Sequence, residues 1–235
     1  MSYLPKTESN PITENVWFAS GENKLHGLLS YPEDANPHTA VVFAGPHPLL
    51  GGNMNNNVVK NICEGLALHF YAALRFDYPG VGQSEGSAIN SPQRMAEFWK
   101  TSHITGEESF SCDLQAALGF LKNLGQSLPL AIIAYSFGCS LLPLLTLPEQ
   151  VYAAVLIAPT ITKHDYSNFK AFKLPILVVT SEDDFANDNS CLDTWYDSLI
   201  MPRKRISRRC DNHFFRGHEE WLLQKVLEFL SSPTR

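Results

Sequence analysis

The chain has no apolar run of membrane-spanning length, no C-x-x-C pair, no internal repeat, no low-complexity tract and no Pro/Gly-rich linker. Each absence excludes a class. A spanning helix needs ~18 consecutive apolar residues, and the start, "MSYLPKTESNPITENVW", lacks the basic-then-apolar order of a secretory signal. The expectation is a soluble, cytoplasmic protein with no membrane partner. Five cysteines, at 63, 112, 139, 191 and 210, are odd in number and widely spaced, so neither a disulfide framework nor a metal site is expected, and free thiols are the default. Positive charge is scarce as well. A net charge of -6 argues against general affinity for nucleic acid. The local exception is "RKRISRR" at 203–209, with five cationic side chains, which reads either as a charged edge strand protected from further pairing or as an anchor for a substrate anion.

What is present is a chain of 235 residues, 44% hydrophobic and 18% charged, enough for one well-filled core. A polar arm (1–14) precedes a single expected domain (15–235). "NVWFAS" and "KLHGLLSYP" read as strands around the turn "GEN", and "HTAVVFAG" (38–45) as a short buried strand. In 57–70, Val58, Ile62, Leu66 and Phe70 recur at helical spacing, and Asp113, Leu114, Ala117, Leu118 and Leu121 mark a helix over roughly 112–124. "YAALRFDYPG", "LPLAIIAYS", "VYAAVLIAP" and "LPILVVTSE" are strands, the last three continuous apolar runs as in a parallel sheet buried on both faces. "KRISRRC" is a final strand before the amphipathic "EEWLLQKVLEFL". This alternation predicts an α/β fold, a mostly parallel sheet with helices on both faces and ligands at the carboxyl ends of its strands.

Residues 82–86, "GQSEG", are a literal G-x-S-x-G, the signature of a nucleophilic serine on a strand-to-helix turn. Ser84 lacks that context: Pro79, Gly80 and Gly82 interrupt any strand before it, and Gly86 and Pro92 discourage a helix after it. Ser136 ends "LPLAIIAYS" and opens "SFGCSLLPLL", within "AYSFG", where Ala134 replaces the first glycine and Gly138 keeps the second. Ser136 is therefore the candidate nucleophile, and Pro143 is expected to kink or shorten the helix that follows.

A serine hydroxyl needs a base, usually histidine, oriented by a carboxylate. "SEDDFAND" places Asp183 and Asp184 after one later strand, and "CDNHFFRGH" places His213 after the last, with His218 a weaker second base. The residues alone do not separate the two aspartates. Acyl transfer also requires donors aimed at the developing oxyanion. The N–H of Phe137, after the nucleophile, is one. In "PHPLLGGNMNN", Pro46 and Pro48 have no N–H, which leaves His47 and Leu49, and Leu49 is taken as the second. His47 reads as a loop-stabilising residue or a substrate contact, and Tyr135 as a pocket residue beside the elbow.

The pieces "GPHPLLGGNMNNNVV", "RFDYPGVGQSEG", "AYSFG", "LVVTSEDD" and "DNHFF", spread in order over about 40–220, resemble the α/β-hydrolase superfamily, in particular small cytosolic members related to dienelactone hydrolases and acyl-peptidase-like esterases. The resemblance implies a structural or site-lining role for Ser84 and points to Asp184 as the acid, although Thr180 and Ser181 stand where the family has His-Gly. It implies a cofactor-free serine hydrolase acting on an ester or thioester of a small or medium acyl group, with a small-molecule substrate, no nucleic-acid partner, and a monomeric or homodimeric state. Amide or C–C hydrolysis, acyl transfer or cyclisation, and noncatalytic binding are the alternatives. The long segment 86–112 is expected to include a small lid around 87–111, in which Phe98 and Trp99 either cover a pocket or pack for stability.

Overall fold

The computed structural model describes residues 10–89, 91–101, 104–125, 127–200, 202–210 and 213–232. Strands β1 (Ile12–Ser20) and β2 (Asn23–Tyr31) form a hairpin closed by the two-residue turn Gly21-Glu22. There follow β3 (Thr39–Ala44), α1 (Asn57–Ala67), β4 (Tyr71–Phe76), α2 (Ser91–Thr101), α3 (Phe110–Leu124) and β5 (Leu130–Tyr135). The chain continues through α4 (Gly138–Leu141), β6 (Val151–Ile157), β7 (Ile176–Ser181), α5 (Asn189–Asp197), β8 (Arg203–Arg208) and α6 (Glu219–Ser231). Short 3-10 turns include Pro48–Leu50, Glu107–Ser109 and Leu142–Leu144.

The strands make one eight-stranded sheet in the order β1-β2-β4-β3-β5-β6-β7-β8. The β1–β2 and β2–β4 pairs are antiparallel, and every pair from β4 across to β8 is parallel. β3, β4, β5 and β7 are buried at every position, which is why their sequences are apolar without alternation. Successive side chains still go to opposite faces. Val42, Ile132, Leu156 and Val178 pack with Leu114, Leu118 and Leu121 of α3 and Leu192 and Trp195 of α5. Val41, Ile133, Val155 and Val179 pack with Val58, Ile62 and Leu66 of α1 and Leu222, Val226 and Phe229 of α6. Burying each such aliphatic side chain contributes roughly 1.5–3 kcal/mol. Asn56 starts α1 by accepting the Val58 N–H on its side chain, a cap worth about 1 kcal/mol.

Several expectations shift. β1 begins at Ile12, paired with Tyr31, so residues 12–14 belong to the sheet and not to an arm; residues 1–9 lie outside the described residues. The segment in which a lid was expected contains α2, which packs against the Pro48–Leu50 turn. Pro92 sits in the first turn of that helix, where its missing N–H has no intrahelical partner to lose. Pro143 does shorten the helix after Ser136: α4 ends at Leu141 and Pro143 lies in the 3-10 turn that follows. β8 is one edge of the sheet, and three of its four cations are engaged locally, Arg205 with Asp193, Arg203 over Tyr196 and Arg208 over Trp221. Among the described residues no disulfide joins any of the five cysteines. No helix among the described residues is long and apolar enough to cross a membrane.

Candidate active site

Ser136 directly follows β5 with φ of 57°, a left-handed conformation that a non-glycine residue adopts only where the surroundings enforce it. They do so through close approach. The Ser136 N–H donates to the Ile157 carbonyl at 2.9 Å. A Cβ on Gly138 would lie 2.4 Å from the Ala44 carbonyl oxygen, so only glycine lets α4 start against the end of β3. Ala134, in register with Ala44, is fully buried, and its methyl is accommodated where the motif has glycine.

His213 comes from the segment after β8. Its Nε2 is 2.8 Å from Ser136 Oγ, and its Nδ1 is 2.9 Å from both Asp184 Oδ1 and Oδ2. Asp184 and His213 are buried, whereas Asp183 is exposed, so the structure separates the two aspartates that the sequence did not. The turn after β7 holds Asp184: Oδ1 accepts the Ala186 N–H at 2.8 Å and Oδ2 the Asn187 side-chain amide at 3.3 Å. Asn187 in turn accepts the Ile161 N–H at 2.9 Å, which ties this turn to the segment after β6. Because Nδ1 faces a carboxylate, it carries the imidazole proton and Nε2 presents its lone pair to the serine hydroxyl. His218 is elsewhere, at the start of α6, where its Nδ1 accepts from Arg208 Nε at 3.1 Å.

The other candidate positions divide. The Phe137 N–H has no acceptor among the described residues and remains available as an oxyanion donor. The Leu49 N–H, by contrast, donates to His47 Nδ1 at 3.2 Å, so the second donor expected from the sequence is turned into its own loop. His47 is buried and makes that loop bond. Tyr135 is 1% exposed, packs on the α1/α6 face of the sheet and donates its hydroxyl to the His213 carbonyl at 3.2 Å, so it supports the histidine from within the core and lines no pocket. Period-two alternation after β5 explains this: the residue before the nucleophile points into the opposite layer. On α2, Phe98 is half-buried and Trp99 is 74% exposed, its ring edge-on to that of Phe98 at 6.1 Å.

Ser84 is a structural residue. It is buried, donates from Oγ to the Asp77 carbonyl at 2.7 Å and accepts the His26 N–H at 2.9 Å. Gly82, at φ 56°, leaves room for Asp77, whose Oδ2 a Cβ would approach to 2.2 Å. Asp77 Oδ1 accepts the Met54 N–H at 2.7 Å, so the "GVGQSEG" turn braces the loop after β3. Burial raises the Asp77 carboxyl above its usual range, opposed by the Met54 hydrogen bond.

Two residues that sequence reasoning did not single out complete the surroundings. Glu107 and His164 are both buried at their side chains and converge on His47 beneath Phe137. They stand 60 and 117 residues along from His47 in no motif, and nothing in the sequence announces the meeting.

No family model matches the chain. An uncharacterized protein of Rickettsia prowazekii is 28% identical over 227 residues, spanning 92% of this chain and 87% of that protein. Among solved structures, an α/β serine hydrolase homologue from Coxiella burnetii superposes with a TM-score of 0.74 at 22% identity, covering 92% of this chain and 97% of that one. A dienelactone hydrolase from Anabaena variabilis gives 0.74 at 19% identity, covering 97% and 100%. The chain has the α/β-hydrolase fold.

Proposed function

We propose that this protein is a serine hydrolase that cleaves an ester or thioester of a small or medium acyl group through an acyl-enzyme on Ser136. The observation that carries the reading is the relay of Ser136 Oγ, His213 and Asp184 at 2.8 and 2.9 Å on a strained elbow. In this reading His213 Nε2 takes the Ser136 proton as Oγ attacks the acyl carbon, and Asp184 stabilises the resulting imidazolium. The Phe137 N–H receives the oxyanion. Collapse expels the alkoxide or thiolate, which leaves with the proton from His213. Water, deprotonated by the same nitrogen, then attacks the acyl-enzyme, and the carboxylic acid departs as Ser136 regains its proton.

An apolar rim supports an acyl substrate. Phe185 and Phe214, 66% and 38% exposed, place their ring centroids 5.3 and 5.7 Å from that of His213. The similarity in fold to a dienelactone hydrolase and to a serine hydrolase homologue is consistent with this chemistry. The test is a panel of p-nitrophenyl esters and acyl thioesters of increasing chain length, followed by rapid mixing. The reading expects turnover with a burst of released leaving group equal to the enzyme concentration; folded protein that turns over no member of the panel contradicts it.

A further inference from the structure

Three buried side chains that the proposed chemistry does not use meet under the elbow. Glu107 Oε2 is 3.0 Å from His47 Nε2, and Glu107 Oε1 is 3.5 Å from His164 Nε2. The side chains of His47, Glu107 and His164 are 4%, 7% and 6% exposed. They come from three separate segments: the loop after β3, the turn between α2 and α3, and the loop after β6. On its other edge His47 receives the Leu49 N–H at Nδ1. Its ring lies 4.1 Å from that of Phe137 at an interplanar angle of 30°.

We propose that Glu107 is a positioning residue for the oxyanion site: its carboxylate holds His47 in the tautomer protonated at Nε2, which frees Nδ1 to anchor the Leu49 N–H and keeps the imidazole stacked on Phe137. The proposal rests on the hydrolase reading above for its effect on turnover. A backbone N–H can only donate, so Nδ1 must carry a lone pair, and in a neutral ring the proton is then on Nε2, facing the carboxylate. Burial alone would push the Glu107 carboxyl up, but the two imidazoles beside it, with His47 Nε2 at 3.0 Å, hold it down to about 2, so the acceptor is an anion throughout the neutral range. The stacked ring supports the residue whose N–H would receive the oxyanion, and the anchored turn fixes the loop opposite it.

The same three residues, with ligand atoms within 4.8 Å of one another, have the composition of a divalent-cation site. The hydrogen bonds argue otherwise. A ligating nitrogen must be unprotonated, and the other ring nitrogen then donates to its neighbour; at His47 that other nitrogen accepts.

The test begins with the imidazole nitrogen-15 spectrum of the wild-type protein, which depends on no variant and no substrate. The expected result is a His47 with protonated Nε2 and unprotonated Nδ1, unchanged by one equivalent of Zn2+. In Glu107→Gln this tautomer is lost or mixed, and kcat falls about tenfold to a hundredfold with KM within about threefold, the scale of a small misplacement of catalytic groups. His47→Phe, which keeps the stacking ring and loses the acceptor, is expected to lower kcat similarly, and the double variant costs no more than the larger single effect. A wild-type His47 protonated on Nδ1, a Zn2+-induced shift of the His47 and His164 signals, or fully additive losses in kcat would each overturn the proposal. If Glu107→Gln does not fold, the wild-type spectrum and the Zn2+ titration decide. A wild type with the expected tautomer that hydrolyses no ester contradicts the hydrolase reading and leaves the Glu107–His47 pairing standing.

Discussion

Two histidines flank the elbow, each facing a buried carboxylate, and they present opposite nitrogens to it. His213 turns Nδ1 to Asp184 and offers Nε2 to the Ser136 hydroxyl at 2.8 Å. His47 turns Nε2 to Glu107 and offers Nδ1 to the Leu49 N–H at 3.2 Å. The carboxylate does the same work in both pairs: it fixes which nitrogen keeps a lone pair. What differs is the group at that lone pair. A hydroxyl can surrender its proton and become a nucleophile, whereas a backbone N–H cannot, so one pair is fitted for proton transfer and the other for holding a loop.

Breaking the first pair has the largest expected effect. Ser136→Ala is expected to lower kcat on the best ester of the panel by about 10⁶-fold, the scale of losing a nucleophile from such a relay. Asp184→Asn leaves the geometry but permits the wrong tautomer, and about a 10⁴-fold loss is expected. Asp183→Asn, on an exposed side chain, is expected to stay within about twofold. Steady-state kinetics on the three variants check this order, and equal losses from the two aspartates contradict the assignment of Asp184.

Smaller effects sharpen the contrast between the serine proposed to act and the one that holds. Ser84→Ala is expected to keep kcat/KM within about threefold and to cost roughly 1–3 kcal/mol of stability, because it leaves the buried His26 N–H without its acceptor. Chemical denaturation measures the second figure.

The carboxylates also differ in how they respond to pH. Glu107 is held down to about 2 from 4.5, so its contribution to stability is present above pH 4.5 and is lost as pH falls through that window toward 2. Asp113 is the reverse case. Burial pushes it up to about 6 from 3.8, only partly offset by the Ser20 hydroxyl that donates to it at 2.6 Å. Its protonated form is the one favoured by folding, so that stability is present below pH 3.8 and lost as pH rises through 6. Asp113→Asn is therefore expected to raise the melting temperature at pH 7 and leave it nearly unchanged at pH 4, read by thermal melts at both values. A larger gain at pH 4 than at pH 7 contradicts the assignment.

The fold was readable where burial dictates composition. The runs in β5, β6 and β7 are apolar because both faces of the sheet are covered, and the helical spacing of Val58, Ile62 and Leu66 reflects one face against the sheet. Helix α2 was not readable, since its apolar residues are few and Pro92 looks like a breaker until its place in the first turn is known. In the site, strand-then-helix context separated Ser136 from the literal motif at Ser84, because an elbow is a local object. The residues alone did not separate Asp183 from Asp184, and only the resemblance pointed to Asp184; which of the two side chains turns inward, and the direction of the Leu49 N–H beside a His47 held by Glu107, depend on the folded chain. Those are contacts between segments far apart in the chain, and no local pattern encodes them.

The central claim, an activated serine at Ser136, is tested most directly by intact-mass measurement after reaction with a fluorophosphonate, on the wild type and on Ser136→Ala and Ser84→Ala. The expected result is one adduct on the wild type and on Ser84→Ala and none on Ser136→Ala. Labelling that survives in Ser136→Ala, or disappears only in Ser84→Ala, would contradict the assignment of the nucleophile.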